Sequence, residues 1–359
     1  MKSKKIVVGL SGGVDSATSA YLLKEQGHEV IGIYMRNWHQ KGPQNCPVED
    51  DLKDAKASAD FLGIPFDVVD FSEQYMTLVF EQFLLELSHG LTPNPDVLCN
   101  QYVKFDAFLN HITQTYDAIL ATGHYAHIDH RQDGAHLMMA SDPNKDQTYF
   151  LCRLSKQQLA LSHFPIGHLL KPEVRKIATQ VGLPVSQKKD STGICFIGER
   201  KFNQFITQYL LDIPGPVVDI DTHKQLAIHP GLIHFTIGQR KGIAIPANSE
   251  NSAPWFVVKK DIQTQTIYVC QGDHHPSLYH KTLTATGLHL IHPLSLNGMA
   301  IEARIRHRQP LQKAIVTTTN SGIQVSFDVP QRAITPGQFI ALYHQNELIG
   351  SAIIENPYV

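Results

Sequence analysis

Ile6-Val7-Val8-Gly9-Leu10-Ser11-Gly12-Gly13-Val14-Asp15-Ser16 is the stretch from which the rest of the chain is read. Its apolar run is short and stops at two glycines, and Ala17–Gln26 then carries a helical pattern that ends at Gly27. The order is therefore strand, tight loop, helix. Glycine lets a backbone turn sharply and approach a ligand with no Cβ in the way. The loop N–H groups and the helix N-terminus then face an anion. Ser11 and Ser16 add hydroxyl donors, and Asp15 is placed to hold a magnesium ion against phosphates. No Gly-Lys-Ser/Thr closes the loop, so it is not of the Walker type. A plain Gly-rich turn with Ser or Asp as helix cap is the simpler alternative.

Moving outward, His28–Met35, Phe66–Asp70 and Asp117–Thr122 read as further apolar strands, and Glu49–Leu62 and 73–87 as helices. Strands that alternate with helices and are apolar on both faces imply an α/β domain with a parallel sheet covered by helices. Met35 and the pair Gly123-His124 fall at strand ends, on the carboxyl edge where open sheets bind ligands. Met35 reads equally well as core filling. Residues 126–140 suggest a hairpin turning at Asp133-Gly134. After Gly193 the pattern changes to short β-like runs broken by Gly, Pro and Asn, with Ile213-Pro214-Gly215-Pro216 as a sharp edge. From Lys281 the runs Ala300–Arg306, Ala314–Thr318, Ile323–Phe327, Phe339–Tyr343 and Leu348–Ile354 suggest a small barrel. The expected domains are 1–205, a central mainly-β domain at 206–279, and a C-terminal β-barrel at 280–359.

The chain has 359 residues, 42% hydrophobic and 18% charged, which excludes wholesale disorder. No apolar run approaches a membrane span, and the N-terminal apolar run breaks too early for a signal peptide, so a cytoplasmic protein is expected. The net charge of −2 gives no global sign of nucleic-acid binding. From Lys281 onward, however, there are six Lys/Arg against four Asp/Glu, with Arg304, Arg306 and Arg308 together. On residues alone this cluster reads as the solvated face of a strand.

The five cysteines, Cys46, Cys99, Cys152, Cys195 and Cys270, are too few and too irregular for a disulfide framework, and with no C-x-x-C pair a zinc ribbon is not expected. Two stand in distinctive segments. Thr92-Pro93-Asn94-Pro95-Asp96-Val97-Leu98-Cys99-Asn100 is stiffened by two prolines and puts Asp96 and Cys99 three apart at a helix start, where a thiolate is favoured. The alternative is Asp96 as helix cap and Cys99 as a small buried apolar group. Asp190-Ser191-Thr192-Gly193-Ile194-Cys195-Phe196-Ile197-Gly198 follows Lys188-Lys189 and suits an exposed loop tip.

The Gly9–Ser16 loop resembles the PP-loop of the ATP pyrophosphatases, which cleave ATP between the α- and β-phosphates. The whole chain is similar to the tRNA-specific 2-thiouridylases, which thiolate the wobble uridine of certain tRNAs. The matching strings are Gly9–Ser16, Thr92–Asn100, Ala121–Ala126, Lys145–Leu151, Asp190–Gly198, Thr236–Gly242, Arg306–Gln309 and Thr335–Gln338, in family order over nearly the whole length. Cys152 is a departure, and His307 stands where the family carries an aromatic. The resemblance implies ATP bound by Gly9, Leu10, Ser11, Gly12, Gly13, Val14, Asp15 and Ser16, with Met35 and Gly123, and a magnesium ion. It implies Cys195 as the persulfide carrier, Cys99 as its disulfide-forming partner, and Asp96 as general acid/base beside the target base. It assigns Asn94, Pro95, Asp96, His124, Lys145, Asp146, Gln147, Arg306, His307 and Gln338 to tRNA contact. A sulfur-relay protein or a cysteine desulfurase is the implied donor. Two readings remain beside it: another PP-loop synthetase, which needs no cysteine pair, and a non-catalytic RNA-binding sulfur carrier.

Overall fold

The computed structural model describes residues 4–39, 47–190, 205–243, 245 and 253–356. Strands β1 (Lys5–Gly9), β2 (Glu29–Arg36), β3 (Phe66–Asp70) and β4 (Ile119–Ala121) lie parallel. A hairpin of β5 (His127–Arg131) and β6 (Gly134–Met138) intervenes before β7 (Ser162–His163), which completes the sheet in the order β3-β2-β1-β4-β7. The continuous apolar run of β1 is explained by burial on both faces. Ile6 and Val8 pack with Ala17, Ala20 and Leu23 of the helix Val14–Glu25 and with Ala55 and Ala59 of the helix Pro47–Leu62. Val7 points the other way, into a core with Val103, Phe108 and Ile112. Each fully buried side chain of this kind contributes about 1.5–3 kcal/mol.

The central region is a four-stranded sheet of β8 (Gly215–Asp219), β9 (Gln225–His229), β10 (Trp255–Asp261) and β11 (Thr266–Gln271), ordered β10-β11-β8-β9. The C-terminal region comprises β12 (Tyr279–Leu290), β13 (Met299–Arg304), β14 (Gln312–Thr318), β15 (Ile323–Arg332), β16 (Phe339–His344) and β17 (Glu347–Asn356). Because β12 pairs with both β15 and β17, these six strands close into a barrel. The fold class read from the sequence therefore holds.

Three features were not read. β7 is two residues long, too short to show any periodicity. The twelve-residue β12 was not singled out. The hairpin β5–β6 does not stay with the parallel sheet; it joins the barrel, with Leu137 opposite Leu348 and Met138 opposite Glu347. Among the described residues no helix is long and apolar enough to cross a membrane.

Candidate active site

The Gly9–Ser16 loop sits at the carboxyl end of β1, between that strand and the helix Val14–Glu25. Its serines organise it from within. Ser16 Oγ accepts from Ser11 N at 3.2 Å and donates to the Gly13 carbonyl at 3.0 Å, while Ser11 Oγ accepts from Gly13 N at 3.3 Å. Gly12 has φ +75°, and a Cβ there would lie 2.2 Å from the Asp51 carbonyl oxygen. Gly123 abuts the same loop from β4: a Cβ on it would lie 2.7 Å from Ser16 N. Two glycines from distant strings thus let three backbone segments meet where the helix begins. Met35 is 9% exposed, in the core that also holds Val7 and Trp38.

Asp15 points into a charged cluster that no motif in the chain announces. Lys171 Nζ lies 2.8 Å from both of its carboxylate oxygens, and the Tyr125 hydroxyl donates to Oδ1 at 2.9 Å. Burial, and then the Asp15 charge, push the Tyr125 hydroxyl far above its ordinary pKa, so it stays a donor. A cation is thus already drawn to Asp15 in this structure. Mg²⁺ is commonly bound through one or two carboxylates together with substrate phosphates, so the donor set fits the ion.

Thr92–Cys99 is held differently. Asn94 caps the helix, accepting from Val97 N at 3.2 Å, and Pro95 occupies the first turn, where its missing N–H costs nothing. The cap is therefore Asn94 and not Asp96. Pro95–Leu98, Cys99–Phe108 and Leu109–Tyr116 form one helix, π-helical in its middle part. Cys99 lies in its second turn, fully buried, while Asp96 is half-buried. The helix-dipole argument for a Cys99 thiolate is weakened accordingly, since that effect fades within the first turn. The preceding loop is fixed by the barrel. Gln338 Nε2 donates to the carbonyls of Thr92 at 2.7 Å and Pro93 at 3.3 Å, and Gln338 Oε1 accepts from Asn94 Nδ2 at 3.3 Å. Thr92 N donates to Pro336 O at 3.0 Å, and the Tyr149 hydroxyl lies 3.2 Å from Gln338 Oε1. Cys195, like Cys46, falls outside the described residues.

The expected RNA contacts divide into two groups. Arg306 is exposed, as an RNA contact requires, and donates to the Arg332 carbonyl. It lies in a turn after β13 and not on a strand. Lys145 is partly exposed but ion-paired to Asp190 at 2.6 Å. His124 is held neutral, chiefly by burial and then by the Lys104 charge, and its Nδ1 lies 2.7 Å from Thr122 Oγ1.

Asp146 departs from expectation. It is 1% exposed and accepts from Arg304 Nη1 at 2.9 Å, Ala140 N at 3.0 Å and Thr148 Oγ1 at 2.8 Å. A buried carboxylate survives only when paired and hydrogen-bonded, and this one is saturated internally, with nothing left for an RNA. Arg304 is likewise buried, so the run Arg304–Arg308 is no solvated strand face. Gln147 receives the Tyr125 N–H at 2.9 Å and holds that tyrosine over Asp15. His307 Nε2 lies 3.1 Å from the Asp146 carbonyl, and its ring packs on Phe150 at 4.4 Å. Lys188, just before the Asp190–Gly198 segment, is paired with Asp51 and Asp54 at 2.6 Å each.

Sequence reasoning missed Lys171, Arg175 and the pairing role of Asp190. Tyr125 was within reach, since it stands in the quoted string Ala121–Ala126. Lys171 opens the helix Lys171–Val181 with no motif near it, and only the tertiary fold brings it to Asp15.

Family models match the chain in series: a tRNA methyl transferase HUP domain over residues 4–199, a tRNA methyl transferase PRC-barrel domain over 203–271 and an aminomethyltransferase beta-barrel domain over 280–354. Among curated relatives, the tRNA-specific 2-thiouridylase MnmA of Streptococcus sanguinis is 46% identical over 358 residues, 99% of this chain and 96% of that protein. The proteins of the same description from Streptococcus agalactiae and Streptococcus thermophilus are 45% and 46% identical, again over 99% of this chain and 96% of theirs. The domain descriptions and the relatives' names differ in the group transferred, and identity sustained over the full length decides between them. The chain belongs to the tRNA-specific 2-thiouridylase family.

Proposed function

We propose that this chain is a tRNA 2-thiouridine synthase. The observation that carries the reading is full-length similarity to this family together with two features of the chain, a Gly-Gly loop between strand and helix and an Asp96/Cys99 segment anchored by the barrel. Uridine O2 attacks the α-phosphorus of ATP, the bond to the β-phosphate oxygen breaks, and pyrophosphate leaves. Asp15 would hold a magnesium ion, which would supply positive charge beside the phosphates. Asp96 handles the proton at the target base, and Asn94 and Pro95 shape its surroundings. The terminal sulfur of a Cys195 persulfide attacks C2, and AMP departs with the original oxygen. Cys99 thiolate then attacks Cys195 Sγ, the S–S bond to the transferred sulfur breaks, and sulfur stays on C2 while a Cys99–Cys195 disulfide forms. An external thiol reduces that disulfide. The persulfide comes from a cysteine desulfurase or a relay protein, and the setting is the cytoplasm. Arg306 adds phosphate attraction for the tRNA.

The test is pyrophosphate release from ATP with and without tRNA, followed by mass spectrometry of the tRNA nucleosides after adding a persulfide donor. Release that depends on tRNA, together with exchange of one oxygen for sulfur in uridine, is expected. Release that ignores tRNA, or an unchanged nucleoside mass, would overturn the reading.

A further inference from the structure

Beside the nucleotide loop, three cations converge on one carboxylate. Lys145 Nζ lies 2.6 Å from Asp190 Oδ2, while Lys171 Nζ and Arg175 Nη2 lie 2.8 and 2.6 Å from Oδ1. They come from two separate stretches of chain: the loop after the hairpin, and the first two turns of the helix Lys171–Val181. One exposed ion pair contributes at most about 1 kcal/mol, so three cations on a single carboxylate are more than structural pairing needs. Asp142, which accepts from Lys171 N at 2.9 Å, adds a third carboxylate beside Asp15 and Asp190, so the cluster is balanced, yet all three cations reach Asp190.

We propose that Lys145, Lys171 and Arg175 bind the β- and γ-phosphates of ATP, the future pyrophosphate, and that Asp190 fills this site as an internal anion until the triphosphate displaces it. The proposal rests on reading Gly9–Ser16 as the ATP loop. Its placement follows from Lys171, whose ammonium touches Asp15 inside that loop while reaching Asp190 on its other side. A triphosphate anchored at the loop would extend along that line. A guanidinium presents paired donors that suit phosphate and carboxylate oxygens alike, which is why one can stand in for the other. Three fixed cations where negative charge gathers on a leaving pyrophosphate are also what stabilises attack at the α-phosphorus. Asp190 is a true anionic competitor: burial alone would raise its pKa, but the hydrogen bonds from Lys145 and Lys171 hold it far below the usual carboxylate range.

The experiment is calorimetric titration of full-length protein with ATP, AMP and pyrophosphate, each with magnesium. Lys145→Gln and Arg175→Gln should each weaken ATP and pyrophosphate by about tenfold, the loss of one charge-assisted contact. AMP, which lacks these phosphates, should bind as in the wild type, and this also reports that the variants are folded. Asp190→Asn should tighten ATP and pyrophosphate, the opposite of what loss of a merely structural ion pair would do. The assignment fails if both cation variants bind ATP like the wild type, if AMP and ATP weaken together, or if only tRNA affinity falls, which would mark an RNA phosphate site. It also fails for Asp190 if the asparagine variant binds ATP more weakly. Wild-type protein that bound neither ATP nor AMP would instead sink the reading of the loop itself.

Discussion

The serines of the Gly9–Ser16 loop bond to partners no more than five residues away, whereas Thr92–Asn94 is held by Gln338, between 244 and 246 positions along the chain. Both segments start a helix, and both are proposed to carry chemistry. The serines of one bond within their own string, although Asp15 is held from a distance by Lys171 and Tyr125, while the other is anchored by a barrel at the far end of the sequence. A loop of the first kind keeps its shape when distant parts change. One of the second kind moves when its distant partner does. In the proposed mechanism the barrel therefore acts on the chemistry by fixing the loop that leads into Asp96 and Cys99.

The largest effects should separate the two regions outright. Cys99→Ser should abolish thiolation and leave ATP binding intact, while Asp15→Ala should abolish tRNA-dependent pyrophosphate release; nucleoside mass spectrometry and a pyrophosphate assay read these out. A Cys99→Ser protein that still thiolated would remove Cys99 from the chemistry.

Next comes the buried pair that ties the hairpin side to the barrel. Arg304 and Asp146 are 158 residues apart and both fully buried. Removing one partner of such a pair costs about 3–5 kcal/mol, so Asp146→Ala should lower the urea midpoint markedly. Replacement by Ala that left stability unchanged would show the pair to be dispensable.

Gln338→Ala tests the comparison itself. Losing its bonds to Thr92, Pro93 and Asn94 should slow thiolation by about tenfold, as expected for roughly 1.4 kcal/mol of lost positioning, with ATP affinity unchanged. Should tRNA affinity fall instead, at an unaltered single-turnover rate, Gln338 would be an RNA contact after all.

The smallest effect concerns pH at the same seam. His136 bonds Glu347 through Nδ1 at 2.6 Å and Asp133 through Nε2 at 2.9 Å. Burial lowers its pKa, but the hydrogen bonds to Glu347 and Asp133 outweigh that, and the net shift is upward. A raised folded-state pKa stabilises fully below the unfolded value and loses that contribution as pH rises through the folded one. His136→Gln should therefore lower the melting temperature more at mildly acidic pH than at alkaline pH. An equal loss at both would exclude the charged pair.

How much of this could be read beforehand follows the same division. The parallel sheet, its helices and the Gly9–Ser16 loop were legible because their causes are local: apolar runs, stop signals and a Gly-Gly turn. The barrel runs β13 to β17 were legible from their regular spacing between turn residues. The Lys171–Asp15 pair was not, because nothing in residues 171–181 marks a site until the helix is packed against the first one. Asp146 was misjudged for a related reason. A string that stands beside a site in sequence need not face it, and only burial against Arg304 reveals that the Asp146 carboxylate points inward.

The hairpin β5–β6 has a consequence for modularity. It lies in the chain between two strands of the parallel sheet, yet it extends the barrel's sheet by two strands along the Glu347–Leu348 edge. The stretch 280–354 matched as a separate barrel is thus hydrogen-bonded to residues near position 137. A chimaera that exchanged the barrel between relatives at position 280 would pair one protein's β6 with another's β17, and cutting the barrel free would leave an unpaired strand edge open to other chains. The natural unit of exchange includes 127–138 as well, so the C-terminal barrel of this protein is not a complete unit without a piece of its first half.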